Sequence, residues 1–93
     1  MDRKLVFRLH ALQRMFERAV TIEDVRIVLA SGETIKTYPD DTPYPSRLVL
    51  GWRANRPLHI VAADTTDGDT TIVITVYEPD AQQWQSDFKE RRS

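Results

Sequence analysis

Two histidines, His10 and His59, supply the groups whose ordinary pKa lies nearest neutral pH. His59 sits inside the run PLHIVAAD, residues 57–64, where it alternates with Leu58, Ile60 and Ala62. Alternation with period two predicts a strand with His59 on the face opposite those three. In RLVLGWR the same rule puts Leu48, Leu50 and Trp52 on one face and Arg47, Val49, Gly51 and Arg53 on the other. A three-residue turn at Thr66–Gly68 keeps Ile72, Ile74 and Val76 over Ala62, Ile60 and Leu58. His59 then lies opposite Thr75 and near Gly51, on a polar face shared with Arg47, Arg53 and Tyr77.

That set suits metal-free cleavage of RNA, whose own 2′-OH is the nucleophile. A histidine moves the proton, an arginine fork binds the phosphate, and a tyrosine positions or stacks on the substrate. The expected catalytic residues are His59 as general acid/base, Arg47 on the phosphate and Tyr77 on the substrate. His10 and Arg14 are one helical turn apart, with Arg18 beside them. With Arg53 they form the expected RNA-binding group. The plain alternative is that His59 is a hydrogen-bonded structural residue and that His10, Arg14 and Arg18 belong to a solvated helix face.

The rest of the chain narrows the chemistry. It has no cysteine, so thiol nucleophiles, disulfides and Cys-based zinc sites are excluded. It has no HExxH, no calcium-loop pattern, no GxSxG elbow and, with 3 glycines, no phosphate-cradling glycine loop. No metal and no cofactor is expected. No apolar run approaches the roughly 20 residues of a membrane helix, and the N-terminus lacks a signal-peptide core. A cytoplasmic protein without membrane contact is expected. The net charge is −1 over 93 residues, but it is unevenly spread. Residues 1–18 carry five bases and two acids, a net +3, and residues 46–59 carry three arginines and no acid.

The elements that must position these groups are legible as well. LHALQRMFERAV places Leu9, Leu12, Met15, Phe16 and Ala19 at helical spacing, a stripe expected to face the core. TIEDV carries a capping box, with Thr21 as the cap and Asp24 returning the bond, and Gly32 stops that helix. Strands are expected at ETIKTY, RLVLGWR, PLHIVAAD and TTIVITVY, with a proline-rich loop after the first. Asp80 is expected to cap a short C-terminal helix in which Ala81, Trp84 and Phe88 share a face. One domain over residues 1–93 follows. Its fold class is α+β: an N-terminal helical hairpin on one face of a twisted four-stranded antiparallel sheet, with a short C-terminal helix.

The segments HALQRMFER, TIEDV, YPDD, RLVLGW, RPLHIVAA and TVYEPDAQQW, in that order, resemble a bacterial domain-of-unknown-function family. That family is placed with RelE/ParE-like toxins, in the barnase-, EndoU-, colicin- and RelE-like nuclease group. The resemblance implies a RelE/ParE-like fold and a toxin-like role in a type II toxin–antitoxin pair, as an endoribonuclease acting on mRNA, free or on the ribosome. It implies a cognate antitoxin as partner, in some cases of zinc-finger type. The family's recurring polar positions fall on His10, Arg14, Glu17, Arg18, Arg47, His59 and Tyr77. A second reading is a non-catalytic protein-interaction module, including a ParE-like inhibitor of a protein target. There the polar sheet face, or an edge strand such as ETIKTY, docks the partner.

Overall fold

A computed structural model describes residues 3–92. The elements in chain order are β1 (Lys4–Phe7), α1 (Leu9–Glu17), α2 (Ile22–Ser31), β2 (Glu33–Tyr38), β3 (Ser46–Arg53), β4 (Arg56–Asp64) and β5 (Thr70–Tyr77). They form an α+β fold with one five-stranded mixed sheet in the order β1-β5-β4-β3-β2. This corrects the expected four-stranded antiparallel sheet. The added strand β1 runs parallel to β5, with Leu5 opposite Thr71 and Phe7 opposite Val73. Leu5 and Phe7 pack against the core while Lys4 and Val6 are exposed. KLVF is too short to announce itself, because only the distant β5 gives it hydrogen-bond partners.

The helices begin as the sequence indicates. Thr21 Oγ1 accepts from the Asp24 amide and Asp24 Oδ2 accepts from the Thr21 amide, both at 3.0 Å. The box satisfies two N–H groups that the first turn otherwise leaves without partners. α1 packs on β5, and α2 packs on β3 and β4. The buried side of α1 differs from the expected stripe. Ala11 and Met15 are buried, whereas Leu9, Leu12 and Phe16 are exposed, Phe16 at 89 %. The face of α1 that meets β5 carries Met15 and the small, fully buried Ala11, and the larger apolar residues Leu9, Leu12 and Phe16 lie away from it.

Register decides which side chains meet. Directly opposed residues in an antiparallel pair share a face. The β3–β4 turn is two residues, Ala54–Asn55, since Arg53 pairs with Arg56, and Ala54 has φ of 53°. His59 is therefore opposite Leu50, and Gly51 is opposite Leu58. The face with Arg47, Val49, Gly51 and Arg53 turns toward the helices: Val49 is in the core, and a Cβ on Gly51 would stand 2.6 Å from Val28 Cγ1 of α2. This corrects the expectation that Arg47 and Arg53 share the His59 face.

On β5 the hairpin closes around residues 66–69, because the Thr65 amide donates to Thr70 O at 2.9 Å. That loop is one residue longer than expected, although Gly68 is left-handed as anticipated, with φ of 80°. A bulge then separates the pairs Ala62–Val73 and Val61–Thr75, leaving Ile74 as the extra residue. The two shifts place Val73 and Val76 in the core with Leu58, Ile60 and Ala62. Ile72 and Ile74, expected there, are only partly buried. His59 becomes opposed to Tyr77 rather than Thr75.

The C-terminal segment forms no helix. Asp80 caps one turn, its carbonyl accepting from the Gln83 and Trp84 amides at 2.9 Å. The chain then doubles back: Trp84 bridges Arg91, the Gln85 amide donates to Glu90 O at 2.8 Å, and Phe88 has φ of 60°. Trp84 is buried at 7 % exposure, so the aromatic anchors hold although the helix expected to carry them does not form.

Candidate functional site

On the sheet face away from the helices, His59 is fully buried at 0 % exposure. Its Nδ1 lies 3.0 Å from Tyr77 Oη and its Nε2 lies 2.8 Å from Phe88 O. A carbonyl oxygen only accepts, so Nε2 carries the proton and donates to it. Nδ1 is then the acceptor, and the Tyr77 hydroxyl donates to it. The Trp84 ring meets the imidazole edge-on, with centroids 4.4 Å apart, and the Tyr77 ring does so at 5.1 Å. Burial pushes His59 below its ordinary pKa, opposed by the Phe88 carbonyl, and keeps the imidazole neutral near pH 7. Burial pushes the Tyr77 hydroxyl up, so it stays protonated.

Tyr77 is partly exposed and connects this buried pair to the surface. It lines a groove of about 390 Å³ together with Lys36, Tyr38, Trp84, Glu90 and Arg91. Lys36 sits 5.4 Å from the Tyr38 ring centroid, and the Arg91 guanidinium 5.5 Å from that of Trp84. Lys89 also borders the groove, but its Nζ is held 3.0 Å from Glu33 Oε1 on β2. Cations interleaved with aromatic rings are the pattern that single-stranded nucleic acid uses, through phosphates and stacked bases.

Of the residues expected to act together, the structure unites His59 and Tyr77 and separates the rest. Arg47 Nη1 contacts Asp64 Oδ2 at 2.5 Å, and Arg53 Nε contacts Asp24 Oδ1 at 2.8 Å, both on the helix side of the sheet. His10 and Arg14 line a hollow along the outside of α1 with Phe16 and Glu17. His10 and His59 thus belong to different faces. Arg18 ends α1 with an exposed side chain, and its carbonyl accepts from Arg56 Nη2 at 2.7 Å. Among the described residues no cluster of His, Asp or Glu could hold a metal ion, and no helix is long and apolar enough to cross a membrane.

Lys36, Glu90 and Arg91 went unselected in the sequence. The alternation of Lys36 with Tyr38 in ETIKTY carried a signal, since both sit on the face of Leu48 once β2 pairs with β3. Glu90 and Arg91 carried none, because their place depends on how residues 80–92 fold back.

The chain belongs to the family described as Domain of unknown function (DUF4258), which matches residues 7–78. That span runs from the end of β1 to the residue after β5 and includes both His59 and Tyr77. Nothing among curated proteins and nothing among solved structures matches the chain.

Proposed function

We propose that the domain is a toxin-like, metal-independent endoribonuclease of the RelE/ParE-like kind, acting on mRNA across the sheet face opposite the helices. The observation that carries the reading is the 3.0 Å contact between His59 Nδ1 and Tyr77 Oη at the wall of a groove lined by Lys36 and Arg91. His59 is too deeply buried to touch RNA, so it works through Tyr77. The substrate 2′-OH gives its proton to Tyr77 Oη as Tyr77 passes its own to His59 Nδ1. The 2′-oxygen attacks phosphorus, and Lys36 and Arg91 offset the charge of the phosphorane. The proton returns through Tyr77 to the leaving 5′-oxygen. The products are a 2′,3′-cyclic phosphate and a 5′-hydroxyl. Arg47 and Arg53, expected from the sequence to bind phosphate or RNA, take no part at this groove.

The test is cleavage of a cellular transcript by the purified domain, with product ends mapped, for the wild type, Tyr77→Phe and Lys36→Ala. Chelator-resistant cleavage to cyclic phosphate ends, lost in Tyr77→Phe and weakened in Lys36→Ala, supports the reading. Cleavage unchanged in Tyr77→Phe overturns it.

One observation favours the second reading, a protein-interaction module. Leu9 at 70 % exposure, Leu12 at 42 % and Phe16 at 89 % line the outer side of α1 at helical spacing. Exposed apolar stripes of this kind mark partner sites. In this reading a protein partner covers α1, rather than the polar sheet face or the ETIKTY edge expected from the sequence. Pull-down of a neighbouring gene product by wild type but not by Phe16→Glu supports it, and equal capture by both removes it.

A further inference from the structure

A second charged site lies on the opposite side of the molecule, in a cleft of about 380 Å³ between α2 and the strands. Three arginines from separate parts of the chain converge on it: Arg3 ahead of β1, Arg26 on α2 and Arg47 on β3. Two of them are held in place by the sheet. Arg3 donates to Thr71 Oγ1 at 2.8 Å and to Thr70 O at 2.7 Å, and also to Gly68 O. Arg47 is held by Asp64 Oδ2, and the other Asp64 oxygen accepts from the buried Thr71 hydroxyl at 2.7 Å. Asp64 Oδ1 is also 3.5 Å from Arg3 Nε, so one carboxylate serves two guanidiniums.

The charges do not balance with a structural ion pair alone. Arg3 and Arg47 share Asp64, and the cleft adds Arg26 and Glu23, leaving an excess of one positive charge among its lining and this carboxylate. Arg26 is exposed and makes no side-chain hydrogen bond or ion pair among the described residues, so its donors are available. Arg47 uses only Nη1 among those residues. Arg47, held in place with donors to spare, and Arg26, exposed with its donors available, suit an anion of fork-matching geometry, and the added charge of Arg3 favours a dianion over a carboxylate. The remaining wall includes Leu5 and Ile27, which offers apolar cover for the body of the ligand.

We infer that this cleft binds a terminal phosphate monoester carrying an apolar or planar body, that is, a nucleotide phosphate, free or at the end of an RNA. Arg26 and Arg47 bind the phosphate oxygens, Arg3 supplies charge from behind, and Leu5 and Ile27 contact the base or sugar. The site is independent of the sheet-face groove, since Arg47 and His59 point to opposite faces.

The experiment titrates the full chain with AMP, inorganic phosphate, adenosine and acetate, followed by nuclear magnetic resonance of backbone and arginine side chains. AMP and phosphate are expected to shift Arg26, Arg47 and Thr71 signals, while adenosine and acetate at equal concentration leave them in place. Arg26→Gln, which breaks no described contact, is expected to weaken AMP about tenfold with unchanged thermal unfolding. Arg8→Ala, at a residue that lines neither the cleft nor the sheet-face groove, is expected to bind AMP as the wild type does. A 5′-phosphorylated oligonucleotide binding more tightly than its 5′-hydroxyl form assigns the site to RNA ends, and equal binding with AMP retained assigns it to free nucleotides. Absence of shifts at tens of millimolar phosphate, AMP affinity unaltered in Arg26→Gln, or shifts confined to Lys36 and Arg91 each overturn the inference.

Discussion

His59 Nδ1 accepts a hydrogen bond from Tyr77 Oη across 3.0 Å, while Nε2–H donates to Phe88 O. The two strands bring this pair into direct opposition, and the folded-back C-terminal segment closes over it. One imidazole thereby ties β4, β5 and residues 84–88 together.

Replacing His59 by alanine leaves a cavity and removes the ring partners of the half-buried Tyr77 hydroxyl and the Phe88 carbonyl. The expected loss is about 2–4 kcal/mol in urea unfolding. A loss below about 0.5 kcal/mol would show that the buried bonds contribute nothing net.

Stability should depend on pH through the same ring. Its native pKa is held below the ordinary 6.5 by burial. As pH falls through 6.5, the unfolded chain takes up a proton that the native imidazole refuses. Stability is therefore full above about pH 6.5 and declines below it, by at most about 1.4 kcal/mol per pH unit from this one group. Asp24, held low mainly by the Thr21 amide, adds a loss only in the lower window below 3.8. Unfolding of the wild type and His59→Gln from pH 7 to pH 5 checks this, with the slope expected to vanish in the variant.

Two glycines have different tolerances. A Cβ on Gly32 would stand 2.5 Å from Val28 O and 2.6 Å from Leu50 O, both backbone atoms. On Gly51 its three nearest neighbours would all be side-chain atoms of Val28, the first at 2.6 Å. Gly51→Ala should cost about 1–3 kcal/mol, since side-chain and helix shifts relieve it, and Gly32→Ala should cost more. Thermal unfolding of both variants gives the order, and a reversed order contradicts the α2–β3 packing described.

Loss of the Thr21 cap should cost about 1 kcal/mol, because Thr21→Ala removes the acceptor for the Asp24 amide and loosens the return bond. Chemical unfolding measures it, and Thr21→Ser should recover nearly all of the loss.

Both helices, four of the five strands and the capping box were legible because each is written in local periodicity or local hydrogen bonding. The failures share one cause: contacts made far along the chain. KLVF is a strand only because β5 accepts it. Two turn lengths and the bulge at Ile74 reversed which face Arg47, Arg53, Ile72 and Ile74 occupy, and period-two alternation cannot see a one-residue shift. The site was legible to the extent that His59 and Tyr77 both belonged to strands expected to pair. Their partners Glu90 and Arg91 came from a tail whose fold depends on Trp84 and Phe88 finding His59 and Trp52.

The central claim is that Tyr77, backed by His59, works on RNA held by Lys36 and Arg91. Its most direct measurement is the rate of transcript cleavage between pH 5 and pH 8 for wild type and Tyr77→Phe, with folding of each confirmed at every pH. The account predicts that wild-type cleavage rises as His59 loses its proton, and that Tyr77→Phe, though folded, does not cleave at any pH. Equal cleavage by both proteins, or none by either, would contradict it.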